Sequence, residues 1–438
     1  MKLADYYMYM NKFVIGSQPK TNEDWSSIRF EAGQIFTPSS PVAEHELFAG
    51  RGAQISALME ATEERGKHAV LYGEAGVGKT SLAKVYAELF PSTFRYLQSF
   101  RVQVDPSDDF SSIWRKVFKD IHIRVLRDES GPDSVGELTA LARFYEGQKI
   151  TPDDVRRELD AVFKPAQIPI IVIDEFDKVK DLEAHTLMAN TIKSLSDYGV
   201  NTTIVIVGVA ENITALVGEH PSIMRCLEQV HMPRMNTSER KEILDKRIPK
   251  LGMKLHQDAI WKIVELSRGL PSYVHLLGLY STQSAIDRKS MLITETDVDA
   301  AISRILLRLQ ESLSEKYHTA THSNRNDNLY QQVLLACALA ESDDRGLFSP
   351  TGISKQLTKI LGRDKEVSAS AFQQHLIKFI ADERGGVLTR IGRERSYKFR
   401  FSDPAMQPYV IMKGIEGGRV GKDAVSVLSF PAQGSFPI

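Results

Sequence analysis

The sequence contains little cysteine and no long hydrophobic run. Its two cysteines, Cys226 and Cys337, lie far apart and show neither CxxC nor histidine spacing. This pattern excludes a disulfide framework and a zinc site, and it is typical of a reducing compartment. No apolar stretch approaches the roughly 20 residues that span a bilayer, and no signal peptide is recognisable at the N-terminus. We therefore expect a cytoplasmic protein without a membrane partner.

The sequence also lacks an excess of either charge. Its 438 residues include 55 basic and 56 acidic side chains. The whole molecule is therefore not a polycation, and any surface for nucleic acid must be local. A chain of this length exceeds one ordinary hydrophobic core, so two or three domains are expected.

A glycine-rich stretch follows the apolar run at 69–72 and precedes an amphipathic segment at 81–87. Strand, glycine turn and helix in this order are typical of a phosphate-binding loop. Gly76 and Gly78 allow the backbone N–H groups to surround a phosphate at a helix N-terminus. Lys79 supplies a cation for the β- and γ-phosphates, and the Thr80 hydroxyl is a ligand for Mg²⁺. The sequence thus predicts a site for ATP or ADP with Mg²⁺, formed by Gly73, Glu74, Ala75, Gly76, Val77, Gly78, Lys79, Thr80 and Ser81.

A second motif is the β-branched run at 168–173, which ends in Asp174 and Glu175. Such a run predicts a parallel strand buried on both faces, and open α/β sheets bind ligands at the carboxyl ends of their strands. Asp174 is the expected partner of Mg²⁺, and Glu175 the group that polarises the attacking water. The alternative is that both carboxylates only cap the next helix.

Three further residues are candidates for the same site. Asn212, with Glu211 as its competitor, follows the predicted strand at 203–208 and could orient the attacking water. Arg225 precedes another short strand, either as a solvated surface residue or as a contact to the γ-phosphate of a neighbouring subunit. Arg51, together with the apolar residues before it, either wraps the adenine or belongs to a packed lead-in helix.

These motifs, in this order, resemble those of an AAA+ ATPase, and the flanking sequence is most similar to the initiator branch of origin-recognition and loading ATPases. The resemblance covers about residues 36–415. It implies an α/β P-loop NTPase domain at 36–236 with an insertion at about 127–150, a helical lid at 237–317 and an N-terminal arm at 1–35. It also implies catalytic roles for Lys79, Glu175, Asn212 and Arg225, and self-association through a shared ATP site.

The lid departs from the AAA+ pattern. Ser272 stands where a lid arginine is expected, and Pro271 and His275 are the predicted nucleotide contacts there, with Arg268 as an alternative. The Gly269-Leu270-Pro271 turn is similar to that of the signal-transduction ATPases, which switch on nucleotide state.

The last folded segment, 328–412, resembles the winged helix-turn-helix of the initiator ATPases, with three helices and a hairpin, and a flexible tail is predicted at 413–438. Residues 387–401 contain five basic side chains against one acid. That charge suits duplex DNA. The predicted contacts are Arg390, Arg393, Arg395 and Lys398 on the hairpin, with Gln374 and Lys378 on the preceding helix.

Two functions remain open from the sequence. The first is an ATP-hydrolysing protein that couples its nucleotide state to DNA binding or assembly. The second is a nucleotide-switched regulator, for example of a bacterial defence system, whose winged helix docks a protein effector.

Overall fold

The computed structural model describes residues 21–41, 45–93, 97–125, 137–163, 167–218, 221–308, 311–323, 328–393 and 397–418. The chain divides into two compact units. The first unit is Pro41–Pro233, and the second unit combines Met1–Ser40 with Arg234–Ile438.

The first unit is built on a parallel sheet of five strands. Its strands are β1 (His68–Gly73), β2 (Leu97–Gln103), β5 (Ile168–Asp174), β6 (Thr203–Val209) and β7 (Leu227–His231), with β3 (His122–Val125) and β4 (Glu137–Ala140) forming a separate antiparallel pair. The order across the sheet is β2-β5-β6-β1-β7. All neighbours are parallel, so the carboxyl ends of the strands lie at one edge.

Helices flank this sheet, and two of them start at capping boxes. Asp109 with Ser112, and Thr151 with Asp154, form capping boxes at two helix N-termini, which satisfies backbone N–H groups that lack helical partners. The helices are Gly52–Glu63, Lys79–Thr93, Phe110–Asp120, Pro152–Val162, Leu182–Asp197, Thr214–Val217 and Pro221–Met224.

The core of the first unit lies between the sheet and the helices. Buried side chains of β5 and β6, such as Ile171 and Ile204, pack in one cluster with Trp114 and Val117 of the helix Phe110–Asp120. Helical spacing predicts that this helix extends to Val125, but it ends at Asp120. The residues after it form β3, which pairs with β4, and of these two strands only β4 lies inside the predicted insertion.

The second unit contains four helices within the segment predicted as a helical lid. They are Thr237–Arg247, Gln257–Leu266, Pro271–Asp287 and Glu295–Arg308. The short strands β8 (Lys254–Leu255) and β9 (Leu292–Ile293) pair in parallel between them.

A further helix, Asn22–Ile35, belongs to the second unit although its sequence is only weakly patterned. A capping box between Thr21 and Asp24 starts it. Arg247 donates a hydrogen bond from Nε to the Ile35 carbonyl oxygen at 2.9 Å. The predicted N-terminal arm is therefore in part a packed helix.

The C-terminal part of the second unit contains five helices and a hairpin in its described residues, where the sequence predicts three helices and a hairpin. Its helices are Glu311–Thr321, Tyr330–Leu339, Pro350–Ile360, Ala369–Ile380 and Met406–Glu416. Strands β10 (Leu388–Ile391) and β11 (Lys398–Phe401) form the antiparallel hairpin. The last helix extends into the segment predicted as a tail, and residues 419–438 of that tail lie outside the described residues. None of the helices in the described ranges is long and apolar enough to cross a membrane.

Candidate nucleotide-binding site

The glycine-rich loop connects β1 to the helix that begins at Lys79. Gly76 and Gly78 have φ angles of 79° and 97°, in the left-handed region that favours glycine. At Gly73, with φ of 152°, a Cβ would lie 2.5 Å from the Met232 carbonyl oxygen. The loop therefore requires glycine at these positions. It leads directly into the N-terminus of a helix, and helix N-termini bind anions.

Lys79 is buried at the base of this loop. Its Nζ donates to the carbonyl oxygens of Gly73 at 3.0 Å and Glu74 at 2.8 Å. Burial lowers the pKa of Lys79 to about 8, although the carboxylates of Asp177, Asp174 and Glu74 act in the opposite direction. Burial disfavours the charged form of Lys79, and a bound phosphate would stabilise that form.

Thr80 and Asp174 join the loop to the end of β5. The Thr80 hydroxyl donates to Asp174 Oδ1 at 3.4 Å, and the same oxygen accepts the Glu175 backbone N–H at 2.9 Å. Asp174 is only 1% exposed. The structure thus brings together the two residues that the sequence assigns to Mg²⁺.

The donor set at Thr80 and Asp174 fits magnesium. Mg²⁺ prefers oxygen ligands and usually keeps several waters beside one or two protein groups and substrate phosphates. No group of three or more His, Cys, Asp or Glu side chains in the described part of the chain could hold a metal. The remaining ligands of a magnesium ion would therefore come from nucleotide and water.

Glu175 follows Asp174 and adopts a left-handed backbone conformation with φ of 62°. Its carboxylate accepts a hydrogen bond from Gln103 and forms an ion pair with Lys178 at 2.8 Å. Partial burial raises the pKa of Glu175, but the bonds from Lys178 and Gln103 outweigh that effect and hold the pKa below its ordinary value. The carboxylate is therefore ionised at neutral pH, as a group that polarises water must be.

Three residues of the site, Arg101, Gln103 and Asp177, are not revealed by the sequence motifs. Arg101 forms an ion pair with Asp174 at 2.7 Å, and Gln103 contacts Glu175. Asp177 Oδ1 accepts the Val209 N–H at 2.8 Å and thereby links the end of β5 to the end of β6. Arg101 and Gln103 could have been identified from the alternation Arg-Val-Gln-Val at the end of a strand, because residues two apart on a strand share one face.

Asn212 lies just beyond β6, where a polar residue is expected to orient water. Its Oδ1 accepts hydrogen bonds from the Thr214 hydroxyl at 2.6 Å and the Ala215 N–H at 3.2 Å. Asn212 thus starts the following helical turn, and both it and Glu211 are exposed. The role of either in hydrolysis stays a prediction.

Arg51 contacts the phosphate loop. Its guanidinium Nη2 donates to the Val77 carbonyl oxygen at 2.9 Å, and the residue is 2% exposed. Arg51 therefore supports the loop backbone inside the first unit, and its contact with adenine remains a prediction.

Arg225 lies away from the loop. It precedes β7, in which Leu227 pairs with His68 at the start of β1, whereas the loop follows the end of β1. Its exposed guanidinium forms an ion pair with Asp197 at 2.6 Å. Arg225 is therefore at the edge of the sheet opposite its own phosphate loop.

Pro271 and His275 belong to the second unit. His275 is buried, and its Nδ1 accepts the Thr37 backbone N–H at 3.0 Å. Burial, with a smaller effect of Arg247, lowers the pKa of His275 to about 3, so the imidazole is neutral. The neutral ring of His275 packs within this unit and accepts a backbone hydrogen bond there, and the nucleotide contacts of Pro271 and His275 stay a prediction.

The predicted DNA contacts lie on the hairpin and the helix Ala369–Ile380. Arg390 and Arg393 are exposed, as are Gln374 and Lys378. Lys398 is paired with Asp343 at 2.9 Å, so part of its charge is neutralised within the unit. Arg395 lies outside the described residues.

Residues 41–369, more than half of the chain, match the family model described as Novel STAND NTPase 1. The matched span includes the phosphate loop, both strand-end carboxylates and the Gly269-Leu270-Pro271 turn. No curated protein matches the chain.

Solved structures resemble the chain at low sequence identity. The Walker-type ATPase PABY2304 of Pyrococcus abyssi is 15% identical with a TM-score of 0.50, and the match covers 86% of this chain and 99% of that one. The ORC1 protein of Aeropyrum pernix in complex with DNA is 16% identical (TM-score 0.45; 92% and 98% covered). The ORC2 protein of the same organism is 12% identical (TM-score 0.47; 89% and 99% covered). With the sheet order and the family match, the first of these confirms the predicted α/β P-loop NTPase fold.

Proposed function

Because the chain belongs to the Novel STAND NTPase 1 family, we propose that it is an ATPase that binds and hydrolyses ATP in the first unit. The observation that carries this proposal is the 3.4 Å contact between Thr80 and Asp174. It joins a glycine-rich phosphate loop to a strand-end carboxylate, and the two together are what a magnesium triphosphate requires.

Each side chain then has a role. Lys79 exchanges the carbonyl oxygens of Gly73 and Glu74 for the phosphates, and the loop amides surround the β-phosphate. Thr80 and Asp174 would hold Mg²⁺, and the ion would supply positive charge to neutralise the phosphates. Glu175 orients and polarises the attacking water, for which it must exchange at least one of its contacts to Lys178 and Gln103.

The contacts of the Glu175 carboxylate with Lys178 and Gln103 favour an ATPase that turns over slowly and switches with its nucleotide state. A carboxylate held by an ammonium and an amide must reorganise before each hydrolysis, and this reorganisation adds to the barrier. The Gly269-Leu270-Pro271 turn and the family match agree with a switching ATPase. The partner of such a switch is a protein effector.

A second candidate function is duplex DNA binding through a C-terminal winged helix. The exposed Arg390 and Arg393 on the hairpin, with Gln374 and Lys378 on the preceding helix, favour it. The hairpin supplies phosphate contacts, and the helix is of a size that enters a major groove.

Arg225 completes the ATP site of a second copy of the chain, and the chain self-associates through this shared site. An exposed arginine at the sheet edge opposite its own phosphate loop reaches a γ-phosphate only in a second copy of the chain. Its surface ion pair with Asp197 is of the kind that stabilises little, so it can be exchanged.

The test is nucleotide binding by Lys79→Ala, measured with a fluorescent ATP analogue and Mg²⁺. We expect binding to fall at least about tenfold, as the removal of one charge-assisted hydrogen bond implies. Lys84→Ala, on the same helix and paired with Glu88 at the surface, is the matched control and should bind normally. Glu175→Gln should bind ATP but retain it unhydrolysed. Unchanged binding by Lys79→Ala would reject the site.

A further inference from the structure

Arg101 lies near the end of the edge strand β2, beside the strand β5 that ends at Asp174. In the parallel register, Arg101 is opposite Val172, and Gln103 is opposite Asp174. Residues two apart on a strand share a face. β2 therefore presents a guanidinium and an amide side by side to the Asp174-Glu175 pair.

The ion pair between Arg101 and Asp174 is specific. Arg101 Nη2 lies 2.7 Å from Asp174 Oδ2, whereas Thr80 and the Glu175 N–H approach Oδ1. Arg101 Nε is buried without a hydrogen-bond partner among the described residues. Asp174 thus binds Arg101 through Oδ2 and the Thr80 hydroxyl through Oδ1. The guanidinium of Arg101 keeps one donor, Nε, without an acceptor among the described residues.

Burial makes this pair energetically important. The Asp174 side chain is 1% exposed and that of Arg101 is 27% exposed. A buried carboxylate without a counter-charge is costly, so a resident cation stabilises the site when no metal is bound. A second cation brought to the same carboxylate meets the repulsion of the first.

We propose that Arg101 is the internal counter-charge of Asp174 and competes with Mg²⁺ for it. Arg101 thereby sets the magnesium concentration at which the nucleotide site fills. This inference rests on the proposed ATP site and adds a residue that governs its metal requirement. Release of Arg101 from Asp174 accompanies filling, so the pair keeps the site in its metal-free form until magnesium and nucleotide arrive together.

The test is a magnesium titration of nucleotide binding, read from a fluorescent ATP analogue without measuring hydrolysis. In Arg101→Gln, we expect half-maximal binding at about tenfold less Mg²⁺, because one positive charge near the metal position is removed. Arg101→Lys keeps the charge but lacks the planar fork, and its midpoint should stay close to that of the natural chain. Arg157→Gln, a surface arginine of the same unit paired with Asp153 and Asp154, is the control and should not shift the midpoint.

The outcomes separate this proposal from the one it rests on. An unchanged or higher magnesium midpoint in folded Arg101→Gln overturns the competition. Absence of magnesium-dependent nucleotide binding in the natural chain overturns the ATP site itself. If Arg101→Gln does not fold, the double variant Arg101→Gln/Asp174→Asn removes both buried charges and should recover the fold. Failure of the double variant to recover it contradicts the counter-charge role.

Discussion

Lys79 is a buried side chain that carries a charge, and burial lowers its pKa because it disfavours the charged form. Its ammonium is held by two loop carbonyls, and burial brings its pKa to about 8. The residue is therefore protonated at neutral pH, and part of that charge is removed in mild alkali.

The first prediction concerns the pH dependence of nucleotide binding. Phosphates favour the protonated form of Lys79, so affinity should fall as pH rises through the pKa of the free protein. We expect roughly tenfold weaker ADP binding at pH 9 than at pH 7, as linkage requires for a group with pKa near 8. Lys79→Arg, which stays charged, should give a flatter profile in the same titration calorimetry. A flat profile in the natural chain would show that Lys79 does not titrate there.

Residues that act through local motifs are predictable from sequence, and residues that act across strands are not. Lys79, Thr80, Asp174 and Glu175 sit in short patterns whose chemistry is complete within a few positions. The Arg101 pair joins residues 73 positions apart, and only the strand register reveals it. The sequence does not identify Asp177 for the same reason, because its hydrogen-bond partner is the backbone of β6.

At the scale of elements, apolar periodicity identifies the sheet strands and the four helices between 237 and 308, although the helix Pro271–Asp287 has no side-chain cap. The helix Asn22–Ile35 is missed because few of its residues are buried, chiefly Ile28, Ala32 and Ile35. The capping box at Thr21 and Asp24 is the signal that would have located it. The extension of the helix Phe110–Asp120 to Val125 is wrong because the apolar residues after it serve a strand instead.

The second prediction concerns the contact between this N-terminal segment and the helix Pro271–Asp287. A Cβ at Gly278 would lie 2.5 Å from a ring carbon of the buried Phe36 and 3.2 Å from Leu244. We expect Gly278→Ala to lower the free energy of unfolding by about 1–3 kcal/mol, the usual cost of overpacking.

Gly33→Ala is the matched control for that substitution. Gly33 is also helical, but nothing lies within 4 Å of its added Cβ. It should be neutral or stabilise by about 0.5–1 kcal/mol, the helix propensity gain of alanine over glycine. Urea unfolding of both variants checks the pair, and equal stability of the two would disprove the close packing at Gly278.

At the scale of the whole molecule, the sequence defines where the nucleotide motifs lie but not how the chain groups its segments. The second unit combines Met1–Ser40 with residues after Pro233. Contacts such as Arg247 to Ile35 span 212 positions, and no local pattern predicts them.

The third prediction tests the shared site. Arg225→Ala and Glu175→Gln should each abolish most ATP hydrolysis alone. Mixed in equal amounts, they should recover activity at roughly a quarter of the sites if head-to-tail assembly is random, since an intact Glu175 then meets an intact Arg225. Steady-state phosphate release with light scattering measures both activity and mass. No recovery in a mixture that remains monomeric would reject the shared site.

The fourth prediction tests the DNA candidate. The double variant Arg390→Ala/Arg393→Ala should weaken duplex binding and lower the slope of log affinity against log salt by about one for each phosphate that the hairpin no longer neutralises. Lys254→Ala, an exposed lysine elsewhere in the second unit, should leave the slope unchanged. If the natural chain does not bind duplex at low salt, the protein-effector alternative is favoured.

The position of each strand in the five-stranded sheet has a consequence for amide deuterium exchange. β1 is hydrogen-bonded on both sides, to β6 and β7, whereas β2 pairs with β5 alone among the described strands. Backbone amides of β1, like those of β5 and β6, should therefore be protected longer than the amides on the outer side of β2, which should exchange early. The loop that would cradle phosphate is thus anchored in a strand held on both sides, while the guanidinium beside Asp174 is carried by an edge strand.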